Sequence, residues 1–415
     1  MKELDVFYEG RGERWKLGTL ADDRRNVLFE YSQEALNRKL ELSPLRCPLR
    51  TEVYPDRQDQ FVSMMRLPGL LYDALPDGWG LRLMDRKVRS RGIDPATLTG
   101  LDRLAYLGQR TLGALTFFPA TQELSVTHDM TLLELAGEVQ ALLLDSDREV
   151  LDELAYVGAS PGGARPKALV FFNPKAHQMS TREESLVEAE PWLVKFPSED
   201  DETDSCALEE LYARMARHSQ LGMGATQFFQ LSGKLTAFGA RRFDREAGKR
   251  VHIHSLAGLL HLNFRIPSIG YGDFLRATRR LTRDMQETHQ ALQRCIFNVL
   301  MNNRDDHTKN IAYLLDSHNE WKLAPPFDLT YCAGYNGEHF MDMAGEGRHP
   351  ARSHILAVAR EGGIAAPDAT RMIDDLLDRL SPDIFKEEAK SLPIRKKTLT
   401  QVMQVMEVNR QRLQA

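Results

Sequence analysis

The stretch FNVLMNNRDDHTKNIAYLLDSHNEWKLAPPFDLTY, residues 297–331, decides how this chain is read. Just ahead of it and into it, ALQRCIFNVLM (291–301) is apolar nearly all round, the pattern of a helix buried on every side. The helix gives way abruptly to Asn302-Asn303-Arg304-Asp305-Asp306-His307-Thr308-Lys309-Asn310, a dense polar knot. Two adjacent carboxylates, a His and a Lys against a buried helix repel one another or lose solvation unless capping, a metal or a substrate compensates them. IAYLL and WKLA follow as two short strands joined by the turn DSHNE, and the second runs through Pro325-Pro326 into Phe327-Asp328.

Loop, hairpin, acid is the order in which protein kinases present a catalytic-loop Asp, an Asn five positions later and then a metal-binding Asp. Asp305 and Asn310 have that spacing. Phosphoryl transfer asks for positioning and charge neutralisation more than for covalent chemistry, and each residue type follows from that need. One carboxylate, Asp305, orients the attacking hydroxyl and accepts its proton, while an amide oxygen and a second carboxylate, Asn310 and Asp328, hold Mg2+ ions that bridge the phosphates.

Upstream, the same template calls for a Gly-rich turn between strands, a strand Lys and a helix Glu that pairs with it. Gly162 and Gly163 in ASPGGARPK permit close backbone approach to phosphates, Lys195 sits in the strand WLVKF, and Glu210 lies in the amphipathic helix CALEELYARMARH. Lys195 is expected to touch the nucleotide and Glu210 to hold Lys195. Each of these is weak alone: a Gly-Gly turn is ordinary hairpin chemistry, the loop lacks Walker A spacing, and a helix Glu commonly pairs with an i+4 neighbour such as Arg214. Their order is what carries weight.

Outward from this centre, residues 3–31 alternate as short antiparallel strands. Pro76-Asp77-Gly78 then breaks the pattern ahead of a basic helix carrying Arg82, Arg86, Lys87, Arg89 and Arg91, ordinarily a solvated face and otherwise a dock for an acidic partner or DNA phosphates. Thr131 and Glu134 form a capping-box pattern before LLELAGEVQALLL. Between 154 and 196 the pattern reads as strand LAYVG, the Gly-rich turn, strand ALVFF, a polar stretch and strand PWLVKF; helices are expected over 288–301, 367–380 and 397–413.

At these residues the chain resembles the HipA family of bacterial serine/threonine kinases. Ser160-Pro161-Gly162-Gly163-Ala164-Arg165-Pro166-Lys167 fits the family's S-x-x-G-A-x-x-K loop. Asp305-Asp306-His307-Thr308-Lys309-Asn310 fits its D-G-H-x-K-N catalytic loop, with Asp306 replacing Gly, and Arg242-Phe243-Asp244-Arg245 fits its hinge segment. Pro326-Phe327-Asp328 matches the metal motif with one residue fewer, and LPDGWG is similar to the signature of the family's small first subdomain.

The resemblance implies an α+β, two-lobed protein-kinase-like fold with an N-terminal β-rich subdomain (1–125), a kinase N-lobe-like region bearing the Gly-rich loop (126–244) and a helical C-lobe (245–415). It implies ATP and Mg2+ as cofactors and a protein substrate, an aminoacyl-tRNA synthetase in the toxic members. A DNA-binding antitoxin is the typical partner. Ser160, Gly162, Gly163, Ala164, Lys195, Glu210, Arg242, Phe243, His307, Lys309 and Asn310 become the expected nucleotide-binding set, with Asp305 and Lys195 catalytic, and Ser160 the expected site of inhibitory autophosphorylation.

Composition bounds these expectations. The 42% hydrophobic fraction over 415 residues supports at least one large core, and the net charge of −5 argues against a nucleic-acid coat protein, although a local basic patch remains compatible with it. Cys47, Cys206, Cys295 and Cys332 lack CxxC spacing, which points to a reducing compartment. With no long apolar run the chain is expected to be cytoplasmic. The rival reading is a metal-dependent phosphodiesterase or nuclease, in which His252 and His254 join Asp305, Asp306 and His307 as ligands.

Overall fold

Period-two alternation builds the first sheet. Leu4, Val6 and Tyr8 of β1 (Lys2–Tyr8) turn inward, as do Val27, Phe29 and Tyr31 of β3 (Val27–Tyr31). With β2 (Trp15–Asp22) and β4 (Leu115–Phe118) they form an antiparallel sheet of order β3-β2-β1-β4. A computed structural model of the chain describes residues 2–22, 27–54, 62–121, 128–145, 148–159, 162–199, 201, 204–233 and 235–415.

A second antiparallel sheet, of order β6-β5-β7-β9-β8, is made from β5 (Lys167–Asn173), β6 (Gln178–Ser180), β7 (Glu190–Lys195), β8 (Thr226–Ser232) and β9 (Leu235–Arg241). The expected capping box is present: Thr131 and Glu134 cap helix Leu132–Leu144 reciprocally. Leu135, Ala136, Val139 and Leu142 of that helix share one apolar core with Val170, Phe172, Trp192 and Val194 of the sheet and with Trp79 and Leu83 of helix Gly78–Ser90.

ALVFF and WLVK are strands as expected, but LAYVG is not: Asp152–Gly158 is a helix. Asp152 and Glu153 occupy its first turn, and Leu154, Ala155, Val157 and Gly158 are buried at helical spacing, so the short apolar run was one that periodicity alone could not assign.

The described chain forms two compact units. Both sheets belong to the first, Met1–Cys206 with Ala225–His254 and Gly258–His261, which takes in the expected first domain whole and most of the second. The other unit comprises Ala207–Gly224, Ser255–Ala257 and Leu262–Ala415. Its centre is helix Met285–Leu300, capped by the Asp284 carboxylate on the Gln286 amide and buried along Leu292, Cys295, Ile296, Phe297 and Val299. Helices Tyr271–Thr282, Arg352–Gly362, Ala366–Arg379 and Lys396–Gln414 pack against one another and around it.

The anticipated hairpin follows, with strand Ala312–Leu315 paired antiparallel to Trp321–Leu323 and Tyr313 opposite Leu323. All four cysteines are free thiols. Among the described residues no helix is long and apolar enough to cross a membrane.

Candidate functional site

In the second unit the polar knot is shaped by hydrogen bonds that leave one carboxylate facing outward. Asn302 ends the buried helix in a left-handed conformation (φ 53°) that Asn tolerates well. Its side-chain amide donates to the Cys332 carbonyl (3.0 Å) while its own carbonyl accepts from the Cys332 N–H (3.1 Å). Arg304 fastens the following loop by donating to the carbonyls of Gly337 and Arg348. Asp305 comes next with its side chain 54% exposed, whereas Asp306 is almost wholly buried.

Asp306, the departure from the family's Gly, collects three donors: the Tyr271 hydroxyl (2.7 Å), His339 Nδ1 (2.8 Å) and the Phe340 N–H (2.7 Å). Burial, then the Asp306 charge, holds the Tyr271 phenol well above its ordinary pKa, so it stays a donor. Asn298 donates to the Tyr271 oxygen (2.8 Å) and accepts from Asn303 (3.0 Å), which ties the loop to the helix beneath it. The sequence signalled unusual chemistry at 306; the structure makes that carboxylate an anchor.

Asn310 Nδ2 donates to the Asp305 carbonyl across 2.8 Å. With its NH2 so engaged, the amide oxygen is the group left for a cation. Asp305 and Asn310 border one cavity with Pro326 and Phe327, and Asp328, the residue after Phe327, takes a left-handed turn (φ 56°). Hard oxygen donors from an amide and carboxylates are the set Mg2+ prefers. His307 lies between the rings of Phe264 and Phe340 with Nε2 3.7 Å from the Asp305 carboxylate, and Lys309 Nζ stands 5.1 Å from the Phe264 ring centre.

Glu210, also in this unit, is buried, and its Oε1 accepts from Arg214 (2.9 Å) and Arg217 (3.3 Å) of its own helix. The i+4 pairing weighed in the sequence is therefore present.

In the first unit, the register places Lys167 of β5 opposite Lys195 of β7, and Lys195 opposite Phe238 of β9. Residues directly opposite across an antiparallel sheet share a face, so two buried lysines stand on one face there, with Lys195 Nζ 5.7 Å from the Phe238 ring centre. Lys167 Nζ also donates to the Gly162 carbonyl. Sequence reasoning did not place Lys167 among the site residues; its position at the end of the S-x-x-G-A-x-x-K loop was the available signal. Ala164 is exposed beside Gly162 and Gly163. Ser160 lies outside the described residues.

Arg242 and Arg245 both grip the buried Asp244 carboxylate, which also accepts from the Gly113 N–H (2.8 Å). Burial raises that carboxyl's pKa, but the two guanidinium charges overcome it and hold the group well below the usual carboxylate range. The backbone N–H groups of Arg241 and Arg242 are bonded to Ala225 and Pro191 carbonyls, while Phe243 is half-buried beside them.

The histidines of the rival reading are held within the first unit. His254 is fixed between Ser43 (2.9 Å) and Asp73 (2.6 Å), and His252 Nε2 sits 3.1 Å from the Leu42 carbonyl. Among the described residues no group of three or more His, Cys, Asp or Glu could hold a metal.

Two family models match the chain: HipA N-terminal domain over residues 4–118 and HipA-like C-terminal domain over 159–384, the latter more than half its length. Among solved structures, the chain is similar to HipA of the Shewanella oneidensis MR-1 toxin–antitoxin system, solved with HipB and its operator DNA. That match has 19% identity and a TM-score of 0.71, and covers 99% of this chain and 96% of that one. A Helicobacter pylori proinflammatory kinase, CtkA, aligns over 55% of this chain and 88% of its own at 15% identity and a TM-score of 0.35, too slight a likeness to carry argument. Comparison with curated protein sequences gives no match.

Proposed function

The chain belongs to the HipA family, and from that premise we propose that it is an ATP- and Mg2+-dependent serine/threonine protein kinase acting as the toxin of a toxin–antitoxin pair. The observation that carries the proposal is the arrangement of Asp305, Asn310 and Phe327 around one cavity, with Asp328 turning immediately after. A base, an amide oxygen and a second carboxylate stand in the order that phosphoryl transfer requires.

In this reading Asp305 orients the acceptor hydroxyl and takes its proton, with His307 Nε2 3.7 Å from its carboxylate. Asn310 and Asp328 would hold Mg2+, which when bound neutralises charge on the phosphates. Lys167 and Lys195 supply two cations for the nucleotide phosphates beneath the Gly162-Gly163 loop. Glu210 would serve Lys195 through Oε2, which has no hydrogen-bond partner among the described residues, since its Oε1 already accepts from Arg214 and Arg217.

The acceptor is proposed to be a serine or threonine of a translation component such as an aminoacyl-tRNA synthetase. The partner is proposed to be a DNA-binding antitoxin, by analogy with the S. oneidensis protein solved with HipB and operator DNA. Autophosphorylation is proposed at Ser160, where a dianion would compete with nucleotide for the same loop.

Mass spectrometry of the chain after incubation with Mg-ATP tests this reading. Phosphate on Ser160 and on an added protein acceptor, both lost in Asp305→Asn, is the expected result. ATP-independent hydrolysis of a nucleic acid or phosphodiester, with no phosphoprotein formed, would instead favour the rival chemistry.

A further inference from the structure

The LPDGWG segment has a use that its sequence does not disclose. Asp77 stands at the N-cap of helix Gly78–Ser90, where an Asp side chain ordinarily accepts from an amide of the first helical turn. Here it makes no such bond. Its Oδ1 accepts instead from the N–H of Gly163, 86 residues away in the Gly-rich loop.

Two neighbours complete the contact. The Trp79 N–H donates to the Gly163 carbonyl across 3.0 Å, so both backbone polar groups of Gly163 are taken by one short segment, through the two residues that flank Gly78. Gly78, at φ 40°, allows the approach: a Cβ there would lie 2.6 Å from the Gly163 oxygen and 2.7 Å from the Ala164 Cα. Trp79 is buried in the core beneath the second sheet, which makes the gripping segment itself rigid. On the loop's other side Lys167 bonds Gly162, and a Cβ on Gly163 (φ 100°) would fall 2.1 Å from Lys167 Nζ.

We infer that Asp77 is a positioning residue for the nucleotide phosphates, clasping the Gly-rich loop in its binding path before the nucleotide arrives. The inference rests on the kinase reading given above. Since Gly163's N–H is engaged inside the protein, the clasp provides a fixed loop path and not a phosphate donor. A loop already ordered avoids the entropy cost of ordering on binding, and a charge-assisted bond is strong enough to hold it.

The test measures ATP and adenosine affinities by calorimetry on the full chain and its Asp77→Ser and Asp77→Asn variants, with melting curves alongside. Ser is a good N-cap, so Asp77→Ser keeps the helix start while its side chain is too short to reach Gly163. Asn keeps an acceptor of the same length. Asp77→Ser is expected to lose roughly 10-fold or more in ATP affinity, the usual effect of removing a bond to a charged group, with adenosine affinity unchanged; Asp77→Asn should stay within about threefold of the native chain for both.

Native-like ATP binding by Asp77→Ser overturns the inference and leaves the kinase reading standing. Tighter ATP binding by both variants overturns it too, by showing that Asp77 competes with phosphate. An equal loss for adenosine refutes it as general damage to the site. If the native chain binds no ATP, the kinase reading fails first and the inference with it.

Discussion

The phenol of Tyr271 donates to the carboxylate of Asp306 across 2.7 Å, joining a helix to a loop 35 residues further along the chain. Through Asn298 and Asn303 the same chain of bonds returns to the start of that loop, and through His339 it reaches the segment beyond Asp328. Asp305 is thereby set at the end of a rigid support, one residue from a fully satisfied buried carboxylate. Every oxygen and nitrogen that joins in a buried network of this kind stiffens it; here the Asn303 side-chain oxygen is the member left without a hydrogen-bond partner among the described residues.

Tyr271→Phe removes one donor from Asp306 and should cost about 1–2 kcal/mol. Asp306→Ala strands the Tyr271, His339 and Phe340 donors together and should cost about 3 kcal/mol or more. Urea unfolding monitored by circular dichroism gives both values; equal midpoints for the native chain and Asp306→Ala would show that the anchor contributes nothing.

Asp305 is half exposed, so Asp305→Asn should leave the melting temperature nearly unchanged. ATP binding should survive, while phosphate transfer falls by roughly 10²–10⁴-fold, the usual weight of a positioned base. Radiolabelled transfer to a protein acceptor measures the effect, and native-like turnover in this variant would remove Asp305 from its assigned role.

Lys167→Ala and Lys195→Ala should each weaken ATP binding, by roughly 10-fold or more, because each removes one cation from the same sheet face. Lys167→Ala should also loosen the Gly-rich loop, since its ammonium bonds the Gly162 carbonyl. Faster amide exchange over residues 162–166 in that variant, but not in Lys195→Ala, is the expected distinction.

The first unit should lose stability in mild acid. Burial, then the neighbouring His254 charge, pushes His252 down to about 3 and His261 down to about 4. Below the unfolded imidazole value of about 6.5, the unfolded chain takes up protons that the folded chain refuses, so stability falls as the pH drops from there towards 4. A decrease of roughly 2–4 kcal/mol is expected between about pH 7.5 and pH 5. The urea midpoint at the two pH values measures it, and His252→Asn should show the smaller pH dependence; parallel curves would discount the buried imidazoles.

Arg304→Ala should free the carbonyls of Gly337 and Arg348 and loosen the segment that follows Asp328. Turnover is expected to fall, because Arg304 directly precedes Asp305 and fastens the loop that carries it. An unchanged turnover number in steady-state assays would argue that this fastening has no part in the reaction.

What the chain declares locally can be read without coordinates. The buried helix ending at Leu300, the strands ALVFF and WLVK, the Thr131 capping box and the Asp305 to Asn310 spacing are patterns within one element or one turn, where periodicity and side-chain chemistry act over a few residues. LAYVG marks the limit, since a run that short obeys either period until its neighbours bury one face. Only the tertiary structure decided that Lys167 faces Lys195, that Asp306 is an anchor, that Glu210 pairs with arginines of its own helix, and that Asp77 abandons its helix for Gly163. Each of these choices is made by register or packing: most join residues far apart along the chain, and at Glu210 the packing brought Arg214 and Arg217 of the same helix to one carboxylate oxygen.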